Sequence, residues 1–196
     1  MKKGLIPLVV IFGIVALIGL SLAGSYNGLV SLEEGVKQAW SQVENVYQRR
    51  LDLIPNLVET VKGYAAHEKS TFTEVALARS RAAGTISPDV LTDPAKFQAF
   101  QASQAALSSA LSRLLVVAEQ YPQLKANENF LSLQAQLEGT ENRISVERGR
   151  YNETAQVFNT KLRSFPTNLI GGMFGFRTKQ YFKSDEGARV APKVTF

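Results

Sequence analysis

NENFLSLQAQLEGTENRISVERGRYNETAQVFNTKLRSF, residues 127–165, decides the fold. Within it Phe130, Leu137, Ile144, Tyr151, Phe158 and Phe165 recur at every seventh position without a miss. An apolar residue on each turn of that rhythm is the mark of a helix seam, and chance rarely fills one heptad position six times running. The spacing predicts one long helix starting at Asn127 or a neighbour and ending before Pro166. Gly139 and Gly149 each weaken it by about 1 kcal/mol relative to Ala, and glycine at such places often lets another helix come close.

Working outward, Phe97, Phe100, Gln104, Leu107, Leu111, Leu114, Ala118 and Tyr121 keep the same three-four rhythm, and Pro122 ends it. Asp93 is a suitable N-cap for that helix and Pro94 a suitable first residue. GTISPDVLTDP, residues 84–94, is the clearest loop. Upstream, Val36, Ala39, Val43, Val46, Arg50, Leu53 and Leu57, flanked by Trp40, Tyr47, Ile54 and Val61, form a broad stripe on another long helix. Pro55 interrupts that stripe and predicts a kink rather than an end. Gly63 or Ser70-Thr71 marks a second bend. No part of this region alternates as strands do. The fold class is therefore all-α, an elongated antiparallel bundle of about four long helices with coiled-coil-like seams.

The N-terminus is of another kind. Leu5 to Ala23, LIPLVVIFGIVALIGLSLA, carries no charge and has about the length of a bilayer-crossing helix. Ser21-Leu22-Ala23 resembles a signal-peptidase site, but signal cores run to roughly 7–15 residues and this run is longer, so a retained anchor is expected. Lys2 and Lys3 precede it, and Glu33 and Glu34 come before the next basic residue, Lys37. The positive-inside rule then leaves the N-terminus in the cytoplasm and the helical domain outside, on a single-pass protein of the inner membrane. The expected domains are an anchor at 1–24, a bundle at 25–166 and a Gly/aromatic/basic tail at 167–196.

Composition removes several function classes. Hydrophobic residues are 45% and charged residues 20% of the 196, a globular balance. With no cysteine there is no disulfide scaffold, thiol nucleophile or iron–sulfur site. The net charge is +5, of which Lys2 and Lys3 carry two, too diffuse for a nucleic-acid interface. The one histidine, His67, lacks the Glu-x-x-His pattern of di-iron bundles, because Tyr64 stands three residues before it. No phosphate loop, nucleophile elbow or dinucleotide fingerprint occurs. The reading assigns no catalytic residue, no metal and no cofactor.

VKQAWSQVENVYQRRLDLIPNLVETVKGYAAHE (residues 36–68), ENRISVERGRYNETAQVFN (141–159) and the Phe165-Pro166-Thr167-Asn168 run resemble the LemA family. Tyr26-Asn27 after the anchor adds to the likeness, which extends over nearly the whole chain. The resemblance implies a single-pass bacterial membrane protein with an antiparallel bundle of about four helices, and some relatives are associated with membrane remodelling. It offers no catalytic residues.

Two groups of residues stand out. Arg49, Arg50, Asp52 and Asn56 on one helix, with Glu141, Arg148 and Asn152 near the seam of another, form either an interhelical polar network that fixes register or a partner surface. In the tail, Phe174, Phe176, Arg177, Lys179, Tyr181 and Phe182 mix aromatic with basic residues. They suit a membrane interface; alternatively Met173, Phe174 and Phe176 cover the open end of the bundle. The expected function is a non-enzymatic envelope scaffold or interaction protein, self-assembling and held in the bilayer through residues 5–23. The alternative is an accessory or regulatory subunit of another membrane or envelope protein, with an enzyme third. The expected partners are the lipid bilayer, further copies of the chain and another envelope protein, with no nucleic acid.

Overall fold

The computed structural model describes residues 5–183, which form six α-helices and one short 3-10 turn, with no β-strand among the described residues. Lys2 and Lys3, on which the orientation rests, and tail residues 184–196 lie outside the described residues. Helix α1 spans Leu5–Lys62, 58 residues, or about 87 Å at 1.5 Å per residue. It fuses the apolar N-terminal segment to the first bundle helix without a break. The apolar part has a mean hydropathy of 2.5 and no buried residue, so by length and composition it can cross a membrane. From Leu29 onward one face turns inward: Val36, Trp40, Val43, Tyr47, Arg50, Leu51, Ile54, Leu57 and Val61 are all buried. This is the stripe read from the sequence, except that Leu51 is fully buried while Ala39, Val46 and Leu53 are only half-buried.

The helix runs through Pro55. Proline has no N–H to give to the carbonyl four residues earlier, here that of the buried Leu51. Arg79 replaces the missing donor, its Nε reaching the Leu51 carbonyl at 2.8 Å. That bond ties α1 to helix α2, Lys69–Gly84, which follows a turn at residues 63–68. The chain then passes through the 3-10 turn Pro88–Leu91 to α3, Pro94–Glu119, where Asp93 Oδ1 accepts from the amides of Ala95 and Lys96 as an N-cap should. Pro122 opens a single turn, α4, Pro122–Lys125. Helix α5, Glu128–Arg163, begins at Asn127, whose Oδ1 accepts from Phe130 N. A cis Phe165-Pro166 bond leads into α6, Thr167–Met173.

Helix α1 lies along α5, and α2 along α3. Two apolar clusters stack along the rod. The distal one joins Leu51, Ile54, Leu57 and Val61 of α1 to Phe72, Val75, Ala78 and Ala82 of α2, to the second half of α3 and to Phe130 of α5. The proximal one, nearer the apolar segment, joins Leu29 to Tyr47 of α1 with Phe97 and Phe100 of α3 and Ile144 to Leu162 of α5. Helix α2 is absent from the second cluster for a reason of length. Its 16 residues reach about 24 Å against about 54 Å for the 36 of α5. The missing wall is supplied by Val90 and Leu91 of the 3-10 turn and by Phe182 of the tail.

Two sequence expectations change. Phe165 lies beyond the end of α5 and is 81% exposed, so the seam stops at Phe158. A side chain at Gly139 or Gly149 would meet open space. The close approach is at Gly171 instead, where an added Cβ would run into the end of the Leu162 side chain. The tail as far as residue 183 packs against the bundle, with Lys179 and Phe182 buried.

Arg79→Ala should cost on the order of 1–3 kcal/mol in urea melts of the detergent-solubilised protein, because it orphans the buried Leu51 carbonyl. Pro55→Ala returns an in-helix donor to that carbonyl. The Arg79→Ala penalty should therefore shrink in the Pro55→Ala background, and equal penalties in both backgrounds would show that the carbonyl is not what Arg79 serves.

Candidate functional site

The most specific polar construction is a clamp on the tail. Helix α5 presents Asn152 and Asn159, seven residues or two turns apart on one face, about 10.5 Å along the axis. Residues 179 and 182 of the tail run extended beside them, and three extended residues span about 10 Å. The two spacings match, so each asparagine meets the N–H and C=O of one residue as a neighbouring strand would. Asn159 Oδ1 accepts from Lys179 N at 2.8 Å and its Nδ2 donates to Lys179 O at 2.9 Å. Asn152 repeats this with Phe182 N and O, both at 2.9 Å. Between them Tyr151 donates its hydroxyl to Gln180 O at 2.9 Å, and Gln180 N donates to Leu91 O at 3.0 Å. Burial pushes the Tyr151 phenol above its usual range, which keeps it protonated as that donor.

The side chains of the strap are as firmly placed. Phe182 stacks on Trp40 with centroids 6.2 Å apart and meets Phe97 at 5.0 Å and Tyr151 at 5.5 Å. The Arg148 guanidinium sits over its ring at 4.5 Å. Lys179 is 5% exposed, with Nζ 2.5 Å from Glu33 Oε1 and 5.0 Å from the centre of the Phe158 ring. A buried ammonium that loses such a partner is left uncompensated, so Glu33 holds the strap to α1.

A second construction, a polar waist, lies between the two apolar clusters. Arg50 is 5% exposed, its Nη2 donating to Ser108 Oγ at 2.7 Å and its Nη1 lying 3.2 Å from Glu141 Oε2. Ser108 in turn donates to Gln104 O at 3.1 Å. Gln104 gives Nε2 to Ala82 O at 3.4 Å, while its buried Oε1 has no hydrogen-bond partner among the described residues. Helices α1, α2, α3 and α5 therefore meet through polar side chains at one level. Beside them is a cleft of about 320 Å³, lined also by Tyr47, Gln101, Ala105 and Arg148. The waist can fix the register of four helices. Because Glu141 is more than half exposed, its ion pair adds little stability, and the direct bond to Ser108 is the firmer one.

Of the residues singled out from the sequence, Arg50 and Glu141 come together, and Arg148 and Asn152 join the clamp. The other three remain outside both constructions. Asp52 is exposed and accepts from Gln48 Nε2 at 2.8 Å. Arg49 and Asn56 are exposed side chains on α1. In the tail, Lys179 and Phe182 face inward and Phe176 is half-buried against Phe158, whereas Phe174, Arg177 and Tyr181 stay exposed. Sequence reading missed Asn159, Ser108 and the Glu33–Lys179 pair. The clamp did leave a signal: the aromatic-Asn pair recurs seven residues apart, as Tyr151-Asn152 and Phe158-Asn159. Among the described residues no cluster of three or more His, Asp or Glu side chains is placed to hold a metal ion.

Comparison with known proteins places these motifs. The model of the LemA family matches residues 39–196. The chain is 28% identical over 202 residues to Magnetosome protein MamQ 2 of Paramagnetospirillum magneticum, covering 94% of this chain and 74% of that protein. It is 25% identical over 201 residues to Magnetosome protein MamQ of Magnetospirillum gryphiswaldense, covering 93% and 74%. Protein LemA of Metamycoplasma hominis is 26% identical over 167 residues, covering 85% and 73%.

Asn159→Ala leaves a buried N–H and a buried carbonyl unpaired and should cost on the order of 2–4 kcal/mol, with Asn152→Ala costing about 1–2 because it is less buried. The double variant should cost less than the sum, since a strap freed at one end gains little from the other clamp. Thermal melts of the four proteins measure this; strict additivity would mean that the two asparagines do not act on one segment.

Proposed function

The chain belongs to the LemA family, and from that premise we propose that it is a non-enzymatic, membrane-anchored scaffold or interaction protein of the cell envelope that assembles with copies of itself. The observation that carries this reading is the unbroken α1, in which one helix is both the apolar segment and the spine of the bundle. A continuous helix transmits position and orientation, whereas a flexible linker would not. Motions of the anchor therefore become motions of a rod. The polar groups in the bundle support it further, because their geometry serves register: the clamp bonds to backbone, and Arg50 bonds across helices. The relatives named as magnetosome proteins support a role tied to membrane organisation.

Confinement by the anchor supports assembly, since copies held in one plane and one orientation meet at raised effective concentration. Light scattering on the full-length protein in mild detergent should give a multiple of the 21.5 kDa chain mass. A monomer mass across a wide concentration range would favour instead an accessory subunit, recognised by a second chain of fixed stoichiometry in a pull-down.

Lys2 and Lys3 before the apolar segment, against Glu33 and Glu34 after it, support a cytoplasmic N-terminus and an extracytoplasmic bundle. Protease added to intact spheroplasts should then digest the bundle. Digestion only after permeabilisation would reverse the orientation.

A further inference from the structure

The end of the bundle nearest the apolar segment has a composition unlike its sides. Phe165, Leu169, Met173 and Phe174 are 81%, 58%, 79% and 60% exposed. They belong to the α5–α6 turn, to α6 and to the residue after it. Their level is fixed by the antiparallel register of α1 and α5. Arg50 meets Glu141, Trp40 meets Tyr151, and Gly35 faces Thr154. One residue forward on α5 is one residue back on α1, so Phe165 comes level with about residue 25. Independently, the Phe174 ring lies 4.7 Å and the Phe176 ring 5.8 Å from Tyr26. The apolar run read from the sequence ends at Ala23, and Tyr26 lies about 4.5 Å farther along the helix. That is the depth of a headgroup layer, a few ångströms beyond the hydrocarbon edge.

Charge points the same way. No Asp or Glu occurs between Glu153 and Asp185, nor before Glu33. Lys161, Arg163 and Arg177 are exposed in that interval. Exposed apolar side chains in an interval whose exposed charges are all cationic suit an anionic lipid surface, in which the apolar groups enter the acyl boundary and the cations hold phosphates.

We propose that this end is a second membrane contact, in which Phe165, Leu169, Met173 and Phe174 insert into the anionic leaflet that α1 crosses. The contact rests on the membrane-anchored reading of α1. It gives the rod two points of attachment, the spanning helix and a foot beside it, and so sets the tilt of the bundle on the surface. The foot is held by the packing of α6 at Gly171 against Leu162 and by the Tyr26–Phe174 contact.

The chain has no cysteine, so single spin labels can be placed cleanly. Full-length Met173→Cys, Ile14→Cys and Val116→Cys, each at an exposed site, are labelled and reconstituted in vesicles of phosphatidylglycerol with phosphatidylcholine. The readout is the ratio of collision with oxygen, which favours lipid, to collision with a water-soluble nickel chelate. The label at 173 should give a ratio several-fold above that at 116 and below that at 14. Arg163→Gln with Arg177→Gln should lower it, and vesicles of phosphatidylcholine alone should lower it likewise. A value at 173 equal to that at 116, with 14 in lipid, overturns the foot and leaves the anchor standing. An aqueous value at 14 overturns both. Spin–spin broadening at 173 overturns the foot in favour of a second copy of the chain on that face.

Discussion

The proximal half of the bundle depends on the tail being held against α5. There α2 has already ended, and three helical segments alone would leave the ring cluster of Trp40, Phe97, Phe100 and Tyr151 open on one side. Phe182 closes it. An extended segment brings unpaired peptide groups into a buried place, and each would cost about 1–3 kcal/mol if left unmade. The asparagines of α5 remove that penalty, because a primary amide presents a donor and an acceptor side by side, as an extended residue presents its N–H and C=O. The matched repeats, two helical turns against three extended residues, let one helix face act as a strand edge. The tail is thus a structural wall, and the asparagines are there because a backbone must be bonded.

Above the clamp the problem is different. The distal cluster is apolar from all its helices and has no need of the tail. Between the two clusters stands the polar level of Arg50, Gln104 and Ser108. Buried polar groups of this kind stabilise little compared with apolar packing, but they penalise any register in which they lose their partners. Sliding α3 by one turn would separate Ser108 from Arg50. Sliding α2 would take Arg79 from the carbonyl that Pro55 leaves open. Proline, a liability in one helix, becomes a fixed point between two.

Much of this was legible in the sequence, for physical reasons that also mark its limits. The seams of α1, α3 and α5 were read because helical burial is periodic and local. Asp93 and Asn127 were read as starts because capping acts within three residues. Phe165 fits the heptad of α5 by number only, since Pro166 already ends the helix before it. Gly139 and Gly149 suggested close contacts that occur instead at Gly171, because a glycine records a possible approach and not which element makes it. Lys179 and Phe182 looked like part of an interfacial mixture. The burial of Lys179 depends on Glu33 and Asn159, 146 and 20 positions away, and that of Phe182 on Asn152, 30 positions away. Such pairings leave no local period, apart from the repeated aromatic-Asn pair that only the tail explains.

The distribution of exposed apolar surface bears on how copies could meet. Along the sides of the bundle, large exposed apolar residues are scattered singly, as Leu77, Val116, Leu131, Val146 and Val157. Single residues of this sort are ordinary on any surface and do not make an interface. Among the described residues, large exposed apolar side chains concentrate in the N-terminal part of α1 and at the end of the bundle beside it. Bundle-to-bundle contact would therefore be mostly polar and weak for its area. Association strong enough to organise a membrane would draw on the plane of the bilayer, where the anchors are already concentrated. Because α1 is one helix, any packing angle chosen there is carried about 50 Å outward by the rod, so a small rotation between anchors displaces the distal ends by much more than it displaces the helices within the bilayer.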